Sequence, residues 1–388
     1  MPWAVVGACC LGMFAATASG SSRSPFLLDM ATDFDVSLPL IANLFGVTSV
    51  CWGLAAYLAG RASDVIGRRV FLIGAPTLLA VEIAAAAMAQ SYYLLAAYIA
   101  FAGLACGAFT ASAMAEVSLR APNEFRGRAL GWVMSGQSLT LLIGVPTAAW
   151  LGAYVGWRGV HFALCSLAFL ASAVCFVVSR PAMVETHSAA AQGKPSPPLR
   201  DALNGPLLRL FAALIVERVC FGLSAFYYPA YLRTAYDLEI AQVAVPLFGF
   251  AFGNILGTII GGQIADKWPN RRVSFGVMLL IAGMFAMAWF TWRPGLLGTA
   301  LLGVGFSLFN AISRPPLLAA MADVPPEVRG AVMGLNSSIA SIGWLTAALT
   351  GGWLYAGAGF GAFGPLMLLM CVLGALMVLP DSRIWKRI

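Results

Sequence analysis

The chain has 388 residues, of which 60% are hydrophobic and 10% charged. Its mean hydropathy is +0.85 and its net charge +7. A water-soluble domain of this length does not carry so little charge, so the composition implies an integral membrane protein. The basic excess calls for no nucleic-acid partner, because Lys and Arg in a membrane chain serve to set its orientation.

A hydrocarbon core of about 30 Å needs about 20 apolar residues per helix. Windows of that length, bounded by Lys, Arg, Pro or Asn, number twelve. They fall near residues 3–28, 38–59, 71–89, 93–117, 129–152, 159–179, 206–231, 243–264, 273–291, 295–319, 331–355 and 362–380. The expected fold is thus an all-α membrane protein of 12 transmembrane helices. Ser21, Ser22, Arg23 and Ser24 interrupt the first window. Ala16-Thr17-Ala18 resembles a signal-peptide cleavage site, but no basic segment precedes it, and the first window is read as a retained helix.

With both termini cytoplasmic, the inner loops and ends collect Arg61, Arg68, Arg69, Arg120, Arg126, Arg128, Arg180, Lys194, Arg200, Arg209, Lys267, Arg271, Arg272, Arg329, Arg383, Lys386 and Arg387. The outer loops keep Arg158, Arg233 and Arg293. That asymmetry is the positive-inside pattern, in a bacterial-type inner (plasma) membrane. The eight cysteines fall inside expected helices without CxxC spacing and read as buried thiols. Two histidines, His161 and His187, make no metal site, and no phosphate-binding or dinucleotide motif implies a cofactor or an enzyme.

Along the chain, Asp29, Asp33 and Asp35 follow the first window. Ionisable residues within expected helices are Arg23, Glu82, Glu116, Glu217, Arg218 and Arg314, and their charges sum to zero. Each costs about 2.5–3.5 kcal/mol at mid-helix, so a paired or functional role is the default. Glu116, near an inner helix end, is read either as solvated or as a proton carrier. Glu217 and Arg218 are adjacent and point about 100° apart, so one of them faces any cavity squarely. Asn310 lies one turn before Arg314 on the same face, and Pro315-Pro316 are expected to break that helix and free carbonyls. Tyr227, Tyr228 and Tyr231 flank Pro229 and, with Trp157, Trp289 and Trp292, suit an interfacial belt; Tyr227 is also kept as a cavity candidate. Gln137 is a polar candidate at mid-helix.

Residues 180–205 are polar and proline-rich and read as a linker between units 1–179 and 206–388. The two units repeat. Gly60-Arg-Ala-Ser-Asp64-Val-Ile-Gly67-Arg68-Arg69 aligns with Gly262-Gln-Ile-Ala-Asp266 and Arg271-Arg272, with one residue gained between. Glu124-Phe-Arg126-Gly127 aligns with Glu327-Val-Arg329-Gly330 at an offset of 203. Two parallel six-helix repeats are a secondary-transporter architecture.

Gly60, Asp64, Gly67, Arg68 and Arg69 meet the loop pattern G-x-x-x-D-x-x-G-R-[RK], and in this the chain resembles the major facilitator superfamily. Gly136, Gly144, Val145-Pro146 and Gly152 approach its fifth-helix signature, with Gly144 and Pro146 at the antiporter-like turn. The likeness extends to the drug and metabolite efflux branch, including sugar-efflux and arabinose-efflux-like permeases. Two positions depart from the pattern: Ile99 stands where members often carry a helix-4 arginine, and Val145 where a glycine precedes the proline. The resemblance implies two pseudo-symmetric six-helix bundles working by alternating access, monomeric in the bilayer, with protons as coupling ion. It implies that Gly60, Asp64, Gly67, Arg68, Arg69, Arg126, Asp266, Arg271 and Arg329 form cytoplasmic gating latches. It also implies a cavity lined by helices 1, 4, 7 and 10, which brings in Arg23, Glu217, Arg218, Tyr227, Asn310 and Arg314, with Gln137 beside them. Proton-coupling candidates are Asp29, Glu116 and Glu217. The function expected is proton-coupled efflux of a small drug or metabolite. Uptake or exchange of an organic anion held by Arg23 and Arg314 is the alternative, and a non-transporting sensor on the same fold is a third.

Overall fold

The computed structural model describes residues 3–122, 125–179, 205–268, 270–324 and 326–378; the expected linker, 180–205, lies outside them except for its last residue. The regular structure of the described residues is entirely helical, with no strand. They form α1 (Trp3–Ser21), α2 (Leu27–Asp33), α3 (Leu38–Ile66), α4 (Arg68–Ala87), α5 (Tyr92–Arg120), α6 (Arg126–Leu139), α7 (Val145–Val178), α8 (Gly205–Tyr236), α9 (Ala244–Lys267), α10 (Arg271–Thr291), α11 (Leu296–Met321), α12 (Pro326–Ala358) and α13 (Phe363–Val378).

Ten helical runs among the described residues are long and apolar enough to cross a bilayer. The expected windows 129–152 and 159–179 lie within one of these, Arg128–Val178. Its helix turns at Gly156, whose φ of 66° is open to glycine without a Cβ clash. The window 331–355 falls in α12, which is not among the ten and many of whose side chains lie outside the description.

The described chain divides into two compact units, one of residues 1–189 with 228–247, the other of 190–227 with 248–388. In the first, α3 crosses α5 closely because Gly107 has no side chain: a Cβ there would come within 2.1 Å of the Trp52 carbonyl oxygen. In the second, a Cβ on Gly257 would come within 2.3 Å of the Leu308 carbonyl oxygen, which brings α9 onto α11. These are the small-residue crossings that hold helices together where burying apolar surface gives no drive. Many large apolar side chains point outward, Phe176, Leu301 and Trp353 among them, as a lipid-facing surface requires.

Two expectations from the sequence change. Pro315 and Pro316 do not break their helix, since α11 runs through both. Each proline removes one N–H, so the carbonyls of Ala311 and Ile312 lose helical donors while the backbone stays wound. The aromatic belt is also smaller than expected: Tyr227, Tyr228, Tyr231 and Trp289 are fully buried and Trp157 nearly so, leaving Trp292 exposed. In the second unit Trp289 packs with Phe250 and Phe306, and Tyr227 with Phe363, so these rings are core.

Candidate functional site

The densest polar cluster within the spans lies in the second unit, where α8 meets α11. Glu217 is wholly buried, and its two oxygens serve two arginines. Arg218 donates from Nε to Oε2 at 2.6 Å, and Arg314 donates from Nη2 and Nε to Oε1 at 3.1 and 3.3 Å. The adjacent pair of α8 was expected to diverge around the helix, but the long Arg218 side chain folds back onto its neighbour. Both guanidiniums also lie over the Phe221 ring, Arg314 at 5.1 Å and Arg218 at 5.9 Å from its centroid. The pair approaches α12 at Gly343, where a Cβ would come within 2.4 Å of the Arg218 Cβ.

Two cations on one carboxylate leave the cluster with one positive charge in excess. Both arginines retain some exposure, 12% and 18% of the side chain, while Glu217 has none. One turn before Arg314, Asn310 is fully buried, and neither its Oδ1 nor its Nδ2 has a hydrogen-bond partner among the described residues. The nearby Phe221–Trp344 pair, edge to face at 5.6 Å, adds an aromatic wall. Chemically this is a seat for a small anion with an amide beside it. Tyr227 stands apart from it, donating its hydroxyl to the Ala348 carbonyl.

The first-unit candidates do not gather at one point. Arg23 follows the end of α1 and is buried among Thr48, Phe45 and a small cavity. Gln137 is half-buried on α6. Glu116 is buried and holds Arg120, one turn on, at 2.6 Å. Glu82 is half-buried on α4. Asp29 accepts two bonds from Arg233, whose Nη1 also reaches the Pro25 carbonyl. Asp33 accepts from Trp157 Nε1 at 2.9 Å and from Arg158 Nη1. Short helix α2 is therefore pinned at both of its carboxylates.

At the two repeated basic turns, Gly67 caps α3 with φ 103°, a conformation that favours glycine, and α4 starts at Arg68. Gly60 is half-buried, and the side chains of Asp64, Arg126 and Arg329 lie outside the described residues. Arg68 reaches the Ala115 carbonyl on α5 at 3.4 Å, and Arg69 lies over Phe176. In the second copy Arg271 instead holds Asp323 at 2.9 Å and the Ala265 carbonyl, while Asp266 is exposed. The fifth-helix signature forms a π-turn, Thr140–Gly144, directly before Val145-Pro146. Thr140 donates to the Phe14 or Gly136 carbonyl there, and a Cβ on Gly144 would lie 3.4 Å from the Phe14 ring. The π-turn keeps the segment wound up to the proline, which lacks an N–H to donate.

Reading the sequence missed Phe221, Thr48, Asp33 and the role of Arg158 and Arg233. The last two carried a signal: they are two of the three basic residues that the sequence reading assigns to outer loops, and each answers an aspartate that follows the first window.

The family model described as Major Facilitator Superfamily matches residues 9–323. The chain belongs to the major facilitator superfamily. Membership makes it a multi-pass membrane transport protein rather than an enzyme. Among curated relatives, a chloramphenicol resistance protein of Streptomyces lividans is 28% identical over 294 residues, covering 73% of this chain and 74% of that one. The MFS-type transporter YwfA of Bacillus subtilis (strain 168) is 24% identical, covering 94% and 88%. The transcription regulatory protein OpdE of Pseudomonas aeruginosa is 22% identical, covering 98% and 94%. Among solved structures, a D-xylose-proton symporter shares the fold with TM-score 0.79 at 16% identity, covering 97% of each chain.

Proposed function

We propose that this major facilitator protein is a secondary active transporter of a small organic anion, in which Glu217 keeps the place of the substrate's anionic group on Arg218 and Arg314. The observation that carries this reading is the wholly buried Glu217 carboxylate shared by two arginines, with the unpartnered Asn310 amide one turn from Arg314. A substrate carboxylate or phosphate displaces Glu217 from the guanidiniums, bidentate geometry being what guanidinium offers. Glu217, turned out of a cationic site, then takes a proton, so an anion and a proton move in the same direction. The wider setting is a 12-helix protein of halves 1–179 and 206–388, joined by linker 180–205, monomeric, in a bacterial-type plasma membrane with both termini cytoplasmic. It works by alternating access, with Asp64 as the principal cytoplasmic latch. The deciding experiment is flux of labelled organic anions, neutral solutes and cations into proteoliposomes, with wild type and Arg314→Gln. Loss of anion flux alone supports the reading; equal loss for all classes, or no loss, overturns it.

A second reading is proton-coupled efflux of a drug or metabolite. Similarity to the chloramphenicol resistance protein favours it, and Asp29, Glu116 and Glu217 are its proton carriers. In that case Glu217→Gln abolishes pH-driven efflux of a neutral substrate that the anion reading does not carry.

A further inference from the structure

Arg23 is the one arginine that is buried among the described residues, at 3% exposure, and its environment is neutral. Its Nη2 donates to Thr48 Oγ1 at 2.7 Å, its Nε donates to the Gly20 carbonyl at 3.1 Å, and the Phe45 ring lies 5.1 Å from its guanidinium carbon. Its Nη1 has no hydrogen-bond partner. The carbonyl end of α1, just before Arg23, offers part of a counter-charge. It does not neutralise a whole one, and a buried cation without a counter-ion is strongly unfavourable.

The guanidinium forms part of the wall of a cavity of about 10 Å³ inside the first unit, shared with Ser19, Thr48, His161, Ala86 and Ala102. That is room for one guest about the size of a water molecule. The hydroxyls in the wall are committed as donors: Ser19 gives its hydrogen to the Ala16 carbonyl and Thr48 to the Leu44 carbonyl. His161 is engaged through Nδ1 with the Trp157 carbonyl. The donor left over is Nη1 of Arg23, and it carries the one formal charge in the lining.

We propose that this cavity is a binding site for one small monovalent anion of the chloride class, held on Nη1 of Arg23. It is distinct from the seat at Arg218 and Arg314, which lies in the second unit and holds its own carboxylate. The bound ion neutralises Arg23 and ties the turn after α1 to α3. Chloride is therefore a structural ion of the first unit, not cargo.

The test uses the full-length protein in detergent or nanodiscs, with unfolding followed in chloride or bromide against gluconate, which is too large to enter. A halide binding the folded state raises Tm saturably, by at least about 2 °C well above its dissociation constant. The shift is retained in Arg314→Gln and lost in Arg23→Gln and in Ala86→Val, which fills the cavity. A bromide-soaked crystal of wild type then gives an anomalous peak within hydrogen-bonding distance of Nη1. No halide shift in wild type, or a shift that survives both Arg23→Gln and Ala86→Val, overturns the proposal. Should Arg23→Gln fail to fold, the bromide map alone decides: a peak at Nη1 supports the site, and water there refutes it.

Discussion

Replacing Glu217 with Gln removes the single negative charge that two arginines share. Glu217 has no exposure, and its partners expose 12% and 18% of their side chains, so neither guanidinium escapes to bulk water without repacking α8 against α11. Deleting one partner of a buried ion pair costs about 3–5 kcal/mol, because a charge is left uncompensated. Here two charges are left, both over the Phe221 ring, which returns part of the loss. Each kcal/mol moves Tm by about 2–4 °C in a domain of this size, so Glu217→Gln should lower Tm by roughly 6–20 °C. Arg314→Gln keeps the Arg218–Glu217 pair whole and gives up two bonds, about 1–3 kcal/mol, hence a smaller drop. The assay is differential scanning fluorimetry of purified variants, with and without candidate organic anions. Because Glu217→Gln also frees both arginines, an anionic substrate should restore much of its lost Tm and do little for Arg314→Gln. A Glu217→Gln protein as stable as wild type, or one that no anion restores, refutes the electrostatic account of the cluster.

Asp64→Asn should slow conformational switching more than Asp266→Asn in a spectroscopic distance measurement, since the second copy of the turn holds Arg271 on Asp323 instead; equal effects mean Asp64 only anchors topology. Gly107→Ala, whose Cβ meets the Trp52 carbonyl at 2.1 Å, should cost at least about 1–3 kcal/mol, read as lost monodisperse protein on size exclusion. The double variant Asp29→Asn, Asp33→Asn should leave Tm within about 8 °C, since such pairs contribute roughly 0–1 kcal/mol each. Amide exchange across Leu27–Asp33 should quicken severalfold; unchanged exchange means the two pairs do not hold α2.

The family was legible in the sequence because the turn between α3 and α4 is specified by its residues: Gly67 needs a positive φ and a basic pair follows it, so the pattern survives as residues. Pairing within the spans was only half legible. The six embedded charges announced themselves by their cost, and Asn310 and Arg314 by their spacing. Which carboxylate met Arg314 depended on tertiary approach, at Gly343 and α8, that periodicity does not carry. The tyrosines after Phe226 failed for a related reason. An aromatic near a helix end reads as interfacial whether it faces lipid or protein, and here Tyr227 turned inward to Phe363. Pro315-Pro316 misled because a proline that ends a helix in water need not end one where no solvent can take the freed carbonyl.

Under the proposed anion transport, the charge balance of the cluster constrains how coupling would be built. With Glu217 ionised and no substrate, the site carries one net positive charge, which it can hold because Arg218 and Arg314 keep some access to the surroundings. A monovalent anion that joined without displacing Glu217 would neutralise the site and need no proton, giving a uniporter or an exchanger. An anion that takes the guanidiniums outright leaves Glu217 buried and unpaired, a state disfavoured by several kcal/mol unless the carboxylate is protonated. The shared carboxylate therefore ties substrate to proton only where substrate and Glu217 compete for the same nitrogens. Nη2 and Nε of Arg314 both face one oxygen of Glu217, so an approaching carboxylate contests that pair of donors directly. Competition is thus built into Arg314 more than into Arg218. Under the proposed anion transport the sign of coupling follows: the anion and the proton would occupy the site together, and acidifying the side from which the anion enters should speed its flux.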